Sequence, residues 1–172
     1  PGRPSRAMAL EDSPSPFAPY VFERGDATSK GKDVPRQFLA VLSGDDREPF
    51  SNGSGRLELA QSIADRENPL TARGFVNRIW AQLFDRPIVG TPSDFGTQGN
   101  APTHPELLDY LAWRFMEGGW STKSLLREIM MSDTYQQSSD LRADGEAVDA
   151  ENKLLWRQNR RRLSFEAMRD SL

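Results

Sequence analysis

The distribution of proline is the feature that most restricts how this chain can fold. Seven of its twelve prolines lie within the first 55 residues, at positions 1, 4, 14, 16, 19, 35 and 49. Proline lacks a backbone N–H donor and turns the preceding residue away from helical conformation. We therefore predict that residues 1–55 form an extended, Pro-rich arm with short strands, of which residues 19–25 are the clearest candidate.

From residue 56 onward the apolar residues follow the spacing of amphipathic helices. This spacing predicts a helix over residues 56–66. It also predicts a longer helix with Asn68 as its N-cap and Pro69 as its first residue, where a missing N–H costs nothing. Gly74 inside that helix costs about 1 kcal/mol relative to alanine, which suggests close packing of its backbone.

Capping residues mark the start of two further helices. Thr103 and Glu106 have the spacing of a capping box, and Ser121 is a good N-cap for the next helix. Two shorter helices, at 150–159 and 164–172, are predicted to close the chain.

The remaining segments read as loops. Residues 85–103 are rich in glycine and proline and form a long loop, with at most a very short strand at Ile88 and Val89. Residues 138–149 are polar and acidic and read as exposed. The predicted fold is mainly α: an irregular bundle of four to six helices over 56–172, truncated at its C-terminus, behind the extended arm.

Composition excludes several classes of function. The chain has no cysteine and one histidine, so disulfides, thiol nucleophiles and multi-histidine metal sites are excluded. We therefore predict no metal and no cofactor in this chain. A net charge of −3 argues against nucleic acid as a partner, and no apolar run approaches the ~20 residues of a membrane span.

The long helix carries a polar group beside its apolar stripe, formed by Arg73, Asn77 and Arg78. Arg73 and Asn77 are four residues apart and so share a face. They could clamp an anion, because a guanidinium group matches a carboxylate or phosphate with two hydrogen bonds. The alternative is an internal network that ties this helix to Asp94 or Glu166.

Four residues are candidates for acid–base chemistry. Asp94 lies in the long loop, and His104, Glu106 and Asp109 follow at the start of the next helix. A histidine near carboxylates could act as an acid–base pair. The alternative is that Glu106 serves the capping box and that the His104 ring bonds a neighbouring loop.

The C-terminal segment is basic, and the chain is rich in tryptophan. Residues 153–172 carry six basic and two acidic side chains, with Arg161 and Arg162 adjacent, so this stretch could contact an anionic partner or pair internally with acidic segments. The tryptophans could form a carbohydrate platform or a haem pocket. Tryptophans at helical spacing more commonly lie in the core. The four tryptophans are Trp80, Trp113, Trp120 and Trp156.

Several ordered motifs resemble one known family. They are NPLTAR at 68–73, VNRIW at 76–80, GTPSDFG at 90–96, HPELLD at 104–109, GWS at 119–121, Ser132 with Tyr135, and residues 152–162 followed by Glu166-Ala167 and Arg169-Asp170. The chain resembles, over residues 20–172, the planctomycete secreted domain of unknown function (domain-of-unknown-function family 1553).

The resemblance implies a context rather than an activity. Similar domains lie near the C-terminus of large exported proteins, often behind planctomycete-type cytochrome c domains, which implies a periplasmic or cell-surface location. It also implies that the chain is a piece of a longer protein. It supplies no catalytic residues.

Three functions follow as hypotheses, and whether the chain is an enzyme stays open. The first is an interaction or structural module that binds neighbouring domains of the parent protein, with polysaccharide as a further partner. The alternative is an extracellular hydrolase acting on polysaccharide, with an acid and a base from the four candidates above. The third is an electron-transfer module that holds haem without a covalent bond.

Overall fold

A computed structural model describes residues 8–17, 19–44 and 47–172. The parts of the predicted arm at residues 1–7, 18, 45 and 46 lie outside the described residues. The chain groups into two compact units, 1–68 and 69–172. It is mainly helical, as predicted, and four helices of the described chain have eight or more residues. The division at residue 55 stays a prediction.

The first unit contains a small sheet. Strands β1 (Tyr20–Phe22) and β2 (Lys30–Asp33) pair antiparallel, with Tyr20 opposite Asp33 and Phe22 opposite Lys30. A single 3-10 turn, Glu23–Gly25, follows β1. The short strand predicted within residues 19–25 is thus confirmed over three residues.

Two helices follow the sheet within this unit: α1 (Ala40–Ser43) and α2 (Arg56–Ile63). The helix predicted at 56–66 is present, although it ends three residues earlier. Its apolar side chains Leu57 and Leu59 remain exposed. Apolar spacing therefore located the helix but not a buried face.

Asn68 has a different role from the predicted one. Its side-chain amide donates to the carbonyl oxygens of Ser62 (3.3 Å) and Ile63 (3.2 Å). These carbonyls belong to the last turn of α2, where backbone acceptors lack helical partners. The following helix begins at Thr71 with Leu70 as its N-cap residue, so the prediction of Asn68 as the N-cap and Pro69 as the first helical residue was wrong in position.

The second unit is built around three helices: α3 (Thr71–Phe84), α4 (Pro105–Glu117) and α5 (Thr122–Met130). Ring stacking joins α3 to α4, because the centroids of Phe75 and Phe115 lie 4.8 Å apart. The buried apolar core comes from these helices, the loop after α3 and one C-terminal residue: Ala72, Val76, Trp80, Phe84, Ile88, Val89, Leu108, Leu111, Ala112, Phe115, Leu125, Ile129 and Leu155.

The predicted loop between α3 and α4 is confirmed, but its anchoring differs from expectation. Ile88 and Val89 are buried and form no strand. Thr103 directs its backbone N–H (3.0 Å) and its hydroxyl (3.3 Å) to the carbonyl of Ile88. The predicted capping box of Thr103 and Glu106 was therefore wrong, since His104 is the N-cap residue and no side chain caps α4.

The C-terminal part is mostly irregular. It contains only the short helices α6 (Asp133–Gln136), α7 (Ala143–Val148) and α8 (Phe165–Asp170). The predicted final helix is confirmed as α8. The segment 138–149, predicted as a loop, contains α7.

The helix predicted at 150–159 does not form. Asn152 and Leu155 have φ angles of 53° and 55°, in the left-handed region that a right-handed helix excludes. The Asp149 carboxylate accepts hydrogen bonds from the backbone N–H groups of Leu154 (2.7 Å) and Lys153 (2.9 Å). The bond from Leu154, above all, holds the pKa of Asp149 below its ordinary value.

Candidate functional site

The exposed side of α4 carries the most distinctive surface of the second unit. Its opposite side, with Leu108, Leu111 and Phe115, lies in the core. At about 100° per residue, Tyr110 and Trp113 project away from that core. Their exposed fractions are 49% and 51%, values that suit contact surfaces better than a packed interior.

The two rings form one aromatic surface. The centroids of Tyr110 and Trp113 are 6.3 Å apart and their planes are tilted by 42°. Both belong to a regular helix that is packed on its other side, so their backbone positions are fixed before any ligand arrives. We refer to this pair as the aromatic pair.

Glu128 on α5 bonds one member of the aromatic pair, Tyr110. Its Oε1 accepts a hydrogen bond from the Tyr110 hydroxyl (3.0 Å) and another from Arg114 Nε (3.3 Å). Both bonds use the same oxygen. No hydrogen bond within the described residues uses the second carboxylate oxygen, Oε2.

A small pocket adjoins Glu128 between the end of α4 and the start of α5. Its volume is about 170 Å³, and its polar lining includes Arg114, Ser121, Ser124 and Glu128. Ser121 caps α5 as predicted, since its Oγ accepts from the Ser124 N–H at 3.3 Å. The Ser124 hydroxyl donates to the same Oγ at 3.0 Å. The pocket thus presents two serine hydroxyl groups beside Glu128, the residue that bonds Tyr110.

An ion pair borders the other side of the aromatic pair. Arg73 Nε lies 2.5 Å from Asp109 Oδ1, and Arg73 Nη1 donates to the Pro69 carbonyl at 2.7 Å. Asp109 and Trp113 are one helical turn apart on α4. The guanidinium predicted to clamp an anion is therefore already paired, with Asp109 rather than with Asp94 or Glu166.

Asn77 and Arg78, the other two residues of that polar group, have different environments from Arg73. Asn77 is fully buried, and its amide forms two bonds with Val89: Oδ1 accepts from the N–H at 2.8 Å and Nδ2 donates to the carbonyl at 3.1 Å. Arg78 is exposed and has no hydrogen bond within the described chain. Asn77 therefore holds the loop after α3 and is not accessible to an anion.

The four acid–base candidates do not form hydrogen bonds with one another. Asp94 Oδ1 accepts from the Gly96 N–H at 2.8 Å, inside its own loop. His104 Nδ1 lies 2.9 Å from the Thr103 hydroxyl, and Glu106 is exposed in the first turn of α4. Among the described residues, no three histidine, aspartate or glutamate side chains come close enough to hold a metal ion.

The C-terminal candidates lie on the exposed surface. Arg161 donates to the carbonyl of Gln82, and so contacts the end of α3. Arg162 and Glu166 are exposed, and neither forms an ion pair with a described residue. These three residues do not join the surface around the aromatic pair. No helix within the described ranges has the length and apolarity to cross a membrane.

Sequence reasoning assigned Trp113 to the core and did not single out Tyr110 or Glu128. Trp80 is buried as predicted, but Trp113 is half-exposed. A signal was present in the sequence, because Tyr110 and Trp113 fall outside the stripe set by Leu108, Leu111 and Phe115. Glu128 could not have been found this way, since its role depends on how α5 packs on α4.

Comparison with known proteins identifies a family. A family model described as "Protein of unknown function (DUF1553)" matches residues 55–172. No curated protein and no solved structure matches the chain.

Proposed function

The chain belongs to the DUF1553 family of proteins of unknown function, and from that premise we propose that it is a non-catalytic binding module of a larger exported protein. In this proposal the module holds polysaccharide chains on the surface formed by the aromatic pair and Glu128. Its other partners are the neighbouring domains of the parent protein. Since such polysaccharides are met outside the cytoplasm, the proposal puts it at the cell surface or in the periplasm.

The observation that carries the proposal is the half-exposed aromatic pair with its hydroxyl bonded by Glu128. Ring faces carry partial negative charge and attract the weakly positive C–H bonds of a sugar ring. Carboxylate and hydroxyl groups beside the rings can bond sugar hydroxyls. The Tyr110, Trp113 and Glu128 side chains supply both kinds of contact on one surface.

Retention of the full chain on insoluble polysaccharides tests this proposal. We expect the wild type to be retained and Trp113→Ala to lose affinity by tenfold or more, as truncation of a central aromatic contact costs about 2 kcal/mol. Phe165→Ala is the matched control, because Phe165 is a 74% exposed aromatic on α8 outside this surface. Lack of retention on every polysaccharide, or equal losses in both variants, would refute the proposal.

The hydrolase hypothesis is tested with the same preparations. Asp109 borders the aromatic pair but is paired with Arg73, and Asp94 bonds its own loop. A binding module releases no reducing sugar from the polysaccharides it retains. Release that disappears in Asp94→Ala or His104→Ala variants of normal stability would instead establish the hydrolase.

A further inference from the structure

We propose that the bound polysaccharide is an uncharged chain of β-linked pyranoses with equatorial substituents, and that two consecutive sugar residues stack on Trp113 and Tyr110. This inference rests on the proposed function and names the ligand of the same site.

The ring spacing matches consecutive sugar residues of one chain. The 6.3 Å between the centroids of Tyr110 and Trp113 is comparable to the length of a single pyranose unit. Two stacked sugars that follow each other directly therefore reach both rings.

Stacking selects the configuration of the sugar. A pyranose whose hydroxyl groups are all equatorial exposes only C–H bonds on its two faces. Such a face lies flat on an aromatic ring, whereas an axial hydroxyl would hold the sugar away from it. Polymers of glucose and of N-acetylglucosamine share this configuration when β-linked.

The charges around the rings disfavour anionic polymers. The two nearest arginines are already paired, Arg73 with Asp109 at 2.5 Å and Arg114 with Glu128 at 3.3 Å. Glu106 lies on the same exposed side of α4 and adds negative charge. A sulfate or uronate group would meet repulsion here rather than a free cation.

Two basic residues of α5 belong to another surface. Lys123 and Arg127 line a separate depression on α5 together with Met130 and Met131. At about 100° per residue, both side chains leave α5 at least about 100° around the helix axis from Glu128. They therefore line a different surface from the aromatic pair.

The pocket accounts for the exocyclic group of one sugar. Its volume of about 170 Å³ is too small for a chain but large enough for a substituent such as a hydroxymethyl or acetamido group. The Ser124 hydroxyl and the Glu128 carboxylate line it and can bond that group. Glu128 thereby links the substituent to the orientation of Tyr110.

Titration calorimetry with soluble oligosaccharides tests the inference on the full chain. The probes are β-linked glucose, β-linked N-acetylglucosamine, α-linked glucose and a sulfated β-linked glucan. We expect binding of one or both neutral β-linked probes, with at least tenfold weakening in Trp113→Ala and none in Phe165→Ala. Raising NaCl from about 50 to about 500 mM should change Kd by less than about twofold, since no charge pairing is involved.

Two variants test the details of the arrangement. Tyr110→Phe keeps the ring but removes the bond to Glu128, so it should weaken binding by about two- to tenfold, the worth of one hydrogen bond. Ser124→Leu fills the pocket, and should weaken the probe with the bulkier acetamido group more than β-linked glucose. Equal weakening of the two probes would show that the pocket receives no substituent.

The outcomes separate this inference from the proposed function. Trp113-dependent binding of the sulfated or the α-linked probe in preference to the neutral β-linked probes would overturn the inference and leave a polysaccharide-binding module. Absence of binding to all four probes, together with no retention on insoluble polysaccharide, would overturn both. Trp113-dependent self-association of the chain without sugar binding would also refute both.

Discussion

Asn77 shows how far a single polar residue can be interpreted from sequence. Its position beside the apolar stripe was visible, and an anion clamp or an internal network were both reasonable hypotheses. The structure buries it completely and pairs its amide with both backbone groups of Val89. The sequence could not show this, because the partner is the backbone of a loop twelve residues away and carries no side-chain signal.

Removing this amide should cost substantial stability. In Asn77→Ala the N–H and carbonyl of Val89 lose their partners in a buried environment, and we expect a loss of about 3 kcal/mol in the free energy of unfolding. Urea denaturation measures it. Arg78→Ala, one residue along the same helix and exposed, should stay within about 0.5 kcal/mol of the wild type. Similar small effects for both variants would contradict the role of Asn77.

A substitution at Gly74 should raise the free energy of unfolding rather than lower it. We predicted close backbone packing there, but a methyl group added to Gly74 would meet no described atom within 4 Å outside the backbone of its own helix, so that prediction was wrong. Glycine inside a helix is less favourable than alanine because its unfolded backbone has more freedom. Gly74→Ala should therefore raise the free energy of unfolding by about 1 kcal/mol in the same denaturation experiment. Destabilisation would indicate a contact that the structure does not contain.

At the scale of elements, periodicity predicted the long helices well. α3, α4 and α5 each place apolar residues at helical spacing against a common core, and all three were anticipated. Periodicity failed over residues 150–159. There, local hydrogen bonds from Asp149 and the left-handed conformations of Asn152 and Leu155 compete with the helix. Competition of this kind depends on side-chain bonds to the backbone rather than on apolar spacing.

Asp149 makes the stability of the folded chain depend on pH. Its pKa is lowered in the folded chain, chiefly by the Leu154 N–H, so the charged form stabilises the fold. This contribution is complete above the pKa of an unfolded aspartate and is lost as pH falls through the lower pKa of the folded state. Between about pH 6 and about pH 3, the unfolding temperature of the wild type should therefore fall more steeply than that of Asp149→Asn.

A matched variant separates this effect from general acid sensitivity. At neutral pH Asp149→Asn should also unfold at a lower temperature, because the two backbone N–H groups bond different carboxylate oxygens and an amide has only one acceptor oxygen. Asp144→Asn, on the exposed surface of α7, should have the same unfolding temperature as the wild type, with the same dependence on pH. Identical profiles for all three proteins would contradict the assignment.

At the scale of the whole molecule, the buried apolar core belongs entirely to residues 69–172. Within the described part of residues 1–68, no apolar side chain is buried. A fragment of residues 69–172 should therefore unfold cooperatively, within about 5 °C of the full chain, a difference equivalent to about 1 kcal/mol for a domain of this size. Calorimetry of both proteins measures it, and a non-cooperative fragment would show that residues 1–68 supply essential packing.

The candidate site was only partly predictable from sequence. Arg73 and Asp109 were singled out and do lie at its edge, although as partners of each other. The aromatic pair was missed because tryptophan at helical spacing is usually buried, and only the phase of the stripe on α4 places Trp113 outside it. The pocket and the role of Glu128 arise from the packing of α5 against α4, which no local pattern encodes.

The unequal burial of the tryptophans also gives the chain a built-in optical reporter. Trp80 is 6% exposed, Trp120 and Trp156 are partly buried, and Trp113 alone is more than half in solvent. Its emission should lie at the longest wavelength of the four and be quenched most readily by acrylamide. A sugar ring laid on its indole would displace water from that side chain, so occupancy of the site can be followed from the unlabelled protein by a blue shift and by protection from the quencher.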